Sequence, residues 1–372
     1  MKIKNDKFEI KEVESEHLIA VAKFLCNENH GVYTEEEWLE KFDLFWELNP
    51  WFDKKKHCRG WAIFNYNQEV HGFLGNIPIV YLKDGKSEEA FCATTWVVSK
   101  HARGQSLKLY NKFIEQKGSL FSTSTEPKIK EVITYLFGYD ELRPTWLNYK
   151  YTLPLSLVSS FRFVSYYYKN FWIKRNIFKL GNIFYKLLSL MYIAFSKLSK
   201  SGVKVNQCIS VPNDIELFNK KFVSKYNYVL PRNKENIEWL YFSGEQSSLR
   251  LLLEVRDGSE LIGLVSFKCI LSEGGARLEL LDFALLYVTF NIIQSVITQT
   301  QEISKKWRND LAYVTFFSFD EIMDSELTKS GFHKMKSEDS FFIRAIPLHA
   351  EIPSFYTSPI DGDRSFFPLL AI

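Results

Sequence analysis

The sequence is poor in the residues that build metal sites, disulfide frameworks and nucleic-acid surfaces. Its five cysteines are widely separated, with no CxxC pair and no zinc-ligand spacing. Its 47 lysines and arginines nearly balance 44 acidic residues, and a net charge of +3 is too small to favour nucleic-acid binding. The first residues contain no apolar run, so we expect no signal peptide. These absences predict a cytoplasmic protein without a metal.

The abundant residues predict a folded protein with a large core. Hydrophobic residues make up 46% of the chain and aromatic residues 16%. Most of the aromatic side chains are expected in the core, and some can line a sugar or nucleobase site. A length of 372 residues favours two domains.

The segment from Trp96 to Leu107 is the clearest candidate for a ligand site. An apolar strand ends at Val98, a basic turn with Arg103 and Gly104 follows, and an amphipathic helix begins directly after it. The first turn of a helix presents unpaired N–H groups and the positive end of the helix dipole, which suit a phosphate or pyrophosphate. We therefore predict a phosphate-binding turn, with an ordinary strand–turn–helix junction as the alternative.

The order of the predicted elements around this turn resembles the GNAT acyltransferase superfamily. Residues 1–155 are predicted to form a strand, two helices, three strands, the turn, a helix, a strand, a helix and a strand. The turn is similar to the family's pyrophosphate loop, Gln/Arg-x-x-Gly-x-Gly/Ala, with His101 and Ser106 at the first and last positions. The resemblance implies an N-acyltransferase that uses acyl-CoA.

The same resemblance implies roles for individual residues. The strand end would hold the thioester through backbone N–H groups, and the turn would hold the pyrophosphate. Thr94 would face the acceptor as a catalytic candidate, with a plain strand threonine as the alternative. Thr134 lies where the family often has the tyrosine that protonates the leaving thiolate, so the general acid is not identified. The predicted cofactor-binding residues are Trp96, Val97, Val98, Arg103, Gly104, Gln105, Ser106 and Leu107.

The second half of the chain repeats the pattern of the first. The interval from Gly72 to Gly138 is close to the interval from Gly263 to Gly331, which indicates two copies of one fold. Residues 286–291 contain neither glycine nor a basic residue, so the second copy lacks the phosphate turn. We predict an α/β protein with two tandem GNAT-like domains. The first domain, 1–155, is predicted to bind acyl-CoA. The second domain, 203–372, is predicted to be degenerate and to end in a C-terminal tail. A helical linker, 156–202, is predicted to join them.

Two features of the predicted second domain and linker have alternative interpretations. Asp282 is an isolated carboxylate in an apolar strand, so it is predicted either to assist the acceptor in a cleft between the domains or to pair with a lysine. The apolar segment from Ile177 to Phe195 is interrupted by lysines. It is predicted to pack between the domains, with an interfacial helix on a membrane as the alternative.

The tandem arrangement resembles FemAB-type aminoacyltransferases and two-domain N-acyltransferases of surface-polysaccharide synthesis. Residues Pro231–Tyr241 and Tyr356–Asp363 are similar to a helix and an acidic tail of the polysaccharide proteins. The resemblance implies transfer of an acyl group, expected to be acetyl, from acyl-CoA to a nucleotide-linked amino sugar, with an acyl carrier protein as an alternative donor. The competing hypotheses are a FemAB-type enzyme, which the near-neutral charge disfavours, and a non-enzymatic scaffold at a membrane.

Overall fold

The computed structural model divides the protein into two units, each with its own β-sheet. The first unit lies within Met1–Leu142, Val223–Ser247 and Asp339–Phe367, and the second within Arg143–Phe222, Ser248–Glu338 and Pro368–Ile372. The structure describes residues 8–28, 33–124, 127–142, 149–154, 202–244, 250–272, 275–306, 311–318, 321–330, 332–336, 340–344 and 355–356.

Helices and strands are mixed along both halves, which confirms the predicted α/β class. The described α-helices are α1 (Leu18–Glu28), α2 (Glu35–Phe42), α3 (Ser106–Ile114), α4 (Pro127–Glu131), Ile215–Val223, Lys234–Ile237, Phe290–Lys306 and Glu321–Lys329. The described strands are β1 (Glu9–Glu12), β2 (Gly60–Phe64), β3 (Val70–Lys83), β4 (Lys86–Val98), β5 (Ser119–Ser124), β6 (Asp140–Leu142), β7 (Tyr149–Pro154), β8 (Val203–Gln207), β9 (Tyr228–Val229), β10 (Arg250–Asp257), β11 (Glu260–Ser272), β12 (Gly275–Leu285), β13 (Leu311–Phe317), β14 (His333–Lys336), β15 (Ser340–Arg344) and β16 (Phe355–Tyr356).

The first sheet has the order β1-β2-β3-β4-β5-β15-β6, and β9 and β16 extend it beside the outer part of β3. The neighbouring strands β1 to β4 are antiparallel, whereas β4 and β5 are parallel. One face of the sheet packs on α3, through side chains such as Leu109 and Phe113 against Trp61 and Leu74. On the α2 side, Phe42 contacts the ring of Phe73.

The second sheet has the order β14-β7-β13-β12-β11-β10-β8. Strands β10, β11 and β12 form an antiparallel meander, and β12 pairs in parallel with β13. This arrangement repeats the antiparallel β2–β4 and parallel β4–β5 pattern of the first sheet. The predicted repeat of the strand pattern is therefore present in the described residues.

The two units are not the contiguous ranges that the sequence pattern suggested. Strand β7 was predicted at the end of domain 1–155, yet it pairs with β13 and β14 in the second sheet. Residues 340–344 fall within the range predicted for domain 203–372, yet they form β15, which lies between β5 and β6 in the first sheet. Residues 223–247, which include the motif Pro231–Tyr241, also belong to the first unit. Each sheet thus receives a strand from the other half of the chain, because strand pairing is a long-range interaction.

Local signals explain two of the elements in the first unit. Thr34 caps α2, since its hydroxyl accepts from the Glu37 N–H (3.2 Å) and its own N–H donates to the Glu37 carboxylate (2.8 Å). Asp84 and Gly85 join β3 to β4 with φ values of 49° and 75°. A two-residue Asp-Gly turn with both φ values positive is a favoured hairpin connection, because its twist matches that of the two strands. Strands β3 and β4 can therefore stay paired up to the turn.

Some predictions fall outside the described residues. Among them are the linker 156–202, apart from Gly202, the segment from Ile177 to Phe195, and all of the C-terminal tail Tyr356–Asp363 except Tyr356. Of the helices that the structure describes, none is long and apolar enough to cross a membrane.

Candidate functional site

Strands β4 and β5 separate in the middle of the first sheet. They pair in parallel only where Ala90–Cys92 faces Ser119–Phe121. Beyond this point β5 stays paired with β15, while β4 continues to Val98 with β3 as its partner in the described chain. We call the place where this pairing ends, towards the carboxyl ends of both strands, the notch.

A β-bulge lies on β4 beside this notch. Gly75 of β3 faces Thr94, and Phe73 faces Val97, so that Thr95 and Trp96 together face one residue of β3. Thr95 has a φ of 53°, which is strained for a β-branched residue. A bulge removes backbone groups from the strand ladder, so N–H groups at Thr95 and Trp96 can face a ligand. The sequence pattern placed the thioester site at Trp96 to Val98 but contained no signal for the bulge.

Thr94 is a tightly packed residue at this bulge. It is 2% exposed, and its hydroxyl lies 3.1 Å from that of Thr95. A Cβ atom on Gly75 would lie 2.6 Å from the Thr94 methyl group, so glycine is needed at that position. The contacts of Thr94 support the bulge, and its predicted catalytic role stays a prediction.

The predicted phosphate turn is a 3-10 helix, Lys100–Gln105, that leads directly into α3. The buried Ala102 anchors the turn, and its N–H donates to the Ser99 carbonyl (3.1 Å). The Ser106 N–H donates to the Arg103 carbonyl. This N–H group, a predicted donor to the pyrophosphate, is therefore already used in a hydrogen bond within the turn. The other predicted residues of the turn stay candidates.

The outer surface of the turn is exposed and positively charged. Residues 100–112 contain four lysines and arginines and no carboxylate. Arg103 and Gly104 are exposed, and a Cβ atom on Gly104 would contact nothing within 4 Å. The backbone of Gly104 is not in the left-handed region, so glycine is not required there by the fold. A positive, sterically open turn beside the notch suits a pyrophosphate group.

His71 fixes the start of the turn, a role that the sequence pattern did not show. Its carbonyl accepts from the Ser99 N–H (2.8 Å), and its Nδ1 lies 3.3 Å from the Ser99 hydroxyl. Its Nε2 lies 3.2 Å from the side-chain amide of Asn65. Three residues from distant positions thus hold the junction between β4 and the turn.

The tyrosines near the notch differ in their surroundings. Tyr135 is 83% exposed and points away from the core. Tyr110 on α3 and Tyr139 just before β6 are buried, and burial raises the pKa of Tyr110 to about 12 and that of Tyr139 further above its usual range. Both phenols therefore stay protonated. Gly138, with a φ of 65°, ends the preceding helical segment.

The second sheet repeats the notch and the bulge but has a different turn. Its β12–β13 pairing ends at Glu279, and a register shift on β12 follows, with Asp282 facing Ser266 of β11. The next helix begins at Phe290, and the Thr289 hydroxyl accepts from the Ile292 N–H (3.3 Å). A helix entered in this way lacks the basic glycine turn of the first unit.

Asp282 is 1% exposed and lies at this second bulge. Its carboxylate accepts a hydrogen bond from the backbone N–H of Phe283 (3.0 Å). A buried carboxylate at a bulge is consistent with either of the two predicted roles. Its position in a cleft between the units stays a prediction.

Comparison with solved structures identifies the architecture. An N-myristoyltransferase from Saccharomyces cerevisiae with bound myristoyl-CoA aligns over 93% of this chain and 82% of its own, with 14% identity and a TM-score of 0.55. The chain has the GNAT fold. A GCN5-related N-acetyltransferase from Anabaena variabilis aligns over 91% and 72%, with 11% identity and a TM-score of 0.52. A probable N-acyltransferase from Enterococcus faecalis aligns over 92% and 73%, with 8% identity and a TM-score of 0.55.

No protein-family model matches the sequence, and no curated protein matches it either. At 8–14% identity, the similarity to these structures is one of fold.

Proposed function

We propose that this protein is an acyl-CoA-dependent N-acyltransferase whose donor site lies in the first unit. The observation that carries the proposal is the succession on one strand of a notch, a strained bulge and a positive turn. The turn would hold the pyrophosphate, and the bulge would place N–H groups on the thioester carbonyl. The acceptor amine then attacks that carbonyl, so that a C–N bond forms and the C–S bond breaks. The amine loses a proton, and the leaving thiolate gains one.

The proposed acceptor is the amine of a nucleotide-linked amino sugar in surface-polysaccharide synthesis, and acetyl is the acyl group expected from the sequence. The support is the resemblance of the tandem arrangement to such enzymes. An acyl carrier protein remains the alternative donor, and a FemAB-type aminoacyltransferase the alternative enzyme. A membrane-bound scaffold without activity is the non-enzymatic alternative.

A thiol-release assay tests the proposed activity. The protein is incubated with a panel of acyl-CoA donors that includes acetyl-CoA and with a panel of nucleotide-linked amino sugars, and free CoA thiol and the amide product are measured. We expect both to appear in equal amounts with an amino sugar, and neither with the matching sugar that has a hydroxyl in place of the amine. CoA binding without product from any combination of donor and amine would contradict the activity and support the scaffold. Product with an aminoacyl-tRNA donor alone would favour the FemAB-type enzyme.

Asp282→Asn tests the proposed role of the second unit. The change keeps the shape of the side chain and removes its charge. If Asp282 assists the acceptor, kcat/KM for the acceptor should fall by about tenfold or more while the Kd for CoA is unchanged. Steady-state kinetics and calorimetry measure the two quantities. A lower melting temperature with normal kinetics would instead make Asp282 a structural residue.

A further inference from the structure

Four side chains near the β4 bulge carry buried, poorly satisfied polar groups. Within the described chain, the two phenols bond only to each other and to Ser122, and the indole nitrogen and one guanidinium nitrogen have no hydrogen-bond partner. These groups are the indole N–H of Trp96, the hydroxyls of Tyr110 and Tyr139, and one guanidinium nitrogen of Arg344. We call these four residues the buried donor cluster. Leaving a buried polar group unpaired costs about 1–3 kcal/mol, so the unpaired indole and guanidinium nitrogens indicate that something outside the described chain satisfies them.

Ring contacts and charge link the four residues. The ring centroid of Tyr110 lies 4.5 Å from that of Trp96 and 6.3 Å from that of Tyr139. The Arg344 guanidinium is close enough to both hydroxyls to act on them electrostatically. The Tyr110 hydroxyl also approaches Ser122, which directly follows the last β5 residue paired with β4. The cluster therefore includes residues of β4 and β15 and reaches β5 through Ser122.

The chemistry of the buried donor cluster selects its ligand. Indole and guanidinium nitrogens only donate hydrogen bonds, and the buried phenols stay protonated and can donate as well. No ion pair with a carboxylate is formed by Arg344 among the described residues, although its guanidinium is permanently charged. A group with oxygen acceptors and a negative charge can accept hydrogen bonds from the indole and the guanidinium and balance the charge of Arg344, whereas a hydrocarbon chain can do neither.

We propose that the buried donor cluster binds the carboxylate of a carboxyacyl group, so that the donor is a dicarboxylic acyl-CoA of the succinyl type. The inference rests on the proposed function, because Trp96 lies in the segment proposed to hold the thioester. It replaces the acetyl group expected from the sequence. The carboxylate would lie beyond the thioester, with Arg344 as its charge partner and the phenols as hydrogen-bond donors.

Binding of matched acyl-CoA compounds to the whole protein tests the proposal. Succinyl-CoA and butyryl-CoA have acyl groups of equal length and differ in a terminal carboxylate against a methyl group. By calorimetry, we expect succinyl-CoA to bind at least tenfold more tightly than butyryl-CoA, and free CoA to bind measurably. Arg344→Met and Tyr139→Phe should each reduce this ratio towards one, whereas Tyr135→Phe, the same change at an exposed position, should leave it unchanged.

The outcomes separate this inference from the proposed function. If free CoA and all acyl-CoA compounds fail to bind, the donor site itself is wrong. If CoA binds and the two acyl groups bind equally, the carboxyacyl proposal is overturned, and ordered water satisfies the cluster. An equal loss of CoA and succinyl-CoA binding in Tyr139→Phe would also overturn it, because the cluster would then act on the CoA portion. Melting temperatures of the variants identify any that do not fold, and Arg344→Met and Tyr139→Phe provide independent readings.

Discussion

Gly104→Val is expected to weaken CoA binding by about 100-fold while the melting temperature changes little. The new side chain would enter open space, since a Cβ atom at this position contacts nothing within 4 Å. The backbone is not left-handed, so valine adds no φ strain. The fold should therefore tolerate the change, whereas the added methyl groups would occupy the surface on which the pyrophosphate is proposed to lie. Calorimetry with CoA and a thermal melt measure the two effects.

Gly202→Val is the matched control for this experiment. Gly202 lies just before β8 in the second unit, and its φ is not left-handed. A Cβ atom there would meet only a side-chain oxygen of Asp257 at 3.7 Å, an ordinary contact. We expect this variant to bind CoA like the wild type. Normal CoA binding by Gly104→Val would refute the assignment of the turn, and reduced binding by both variants would show a non-specific effect.

Lys41→Met is expected to stabilise the first unit at pH 7 by on the order of 3 kcal/mol. Lys41 lies on α2 with 0% exposure, its Nζ over the ring of Tyr33 and 4.6 Å from the ring centroid of Trp38. Burial lowers its pKa to about 6, against the opposing effect of Glu37 and Glu40. At pH 7 folding must therefore remove a proton from this amine, and methionine avoids that cost.

The same pKa shift predicts how stability depends on pH. Between the folded pKa of about 6 and the ordinary value of 10.5, the unfolded chain binds a proton that the folded chain does not. The free energy of unfolding should therefore rise with pH across this window, by at most about 1.4 kcal/mol per pH unit from this group. Lys41→Met should lose this rise, and Lys23→Met, at an exposed position on α1, should keep it. Urea denaturation at pH 7 and pH 9 measures the difference, and equal slopes in all three proteins would contradict the shift.

Much of the local structure could be predicted because it depends on neighbouring residues. The Thr34–Glu37 capping box, the helix end at Gly138 and the turn before α3 are formed by residues a few positions apart. The Asp84–Gly85 hairpin belongs to the same class, and the signal for it was present in the sequence. The repeat of the meander was visible because each half carries the same alternation of strands and helices.

The candidate site could be predicted only in part. The segment Trp96–Leu107 combines a strand, a basic turn and a helix, and this local pattern located the turn. The contact of His71 with Ser99 and the close approach of Thr94 to Gly75 arise from strand pairing. The spacing of residues along the chain therefore does not predict them. The buried donor cluster likewise joins residues on β4, α3 and β15 with the segment before β6.

The sequence by itself determined the α/β class, the repeated pattern of elements and the position of the basic turn, since capping, turn geometry and periodicity act over a few residues. Tertiary structure decided which half supplies each strand, where β4 and β5 separate, and that Thr95 is held in a strained bulge. It also decided that Arg344 comes to lie beside Tyr110. These features depend on hydrogen bonds and packing contacts between residues far apart in the chain. Such contacts form only when the strands of the sheet assemble, so local sequence does not specify them.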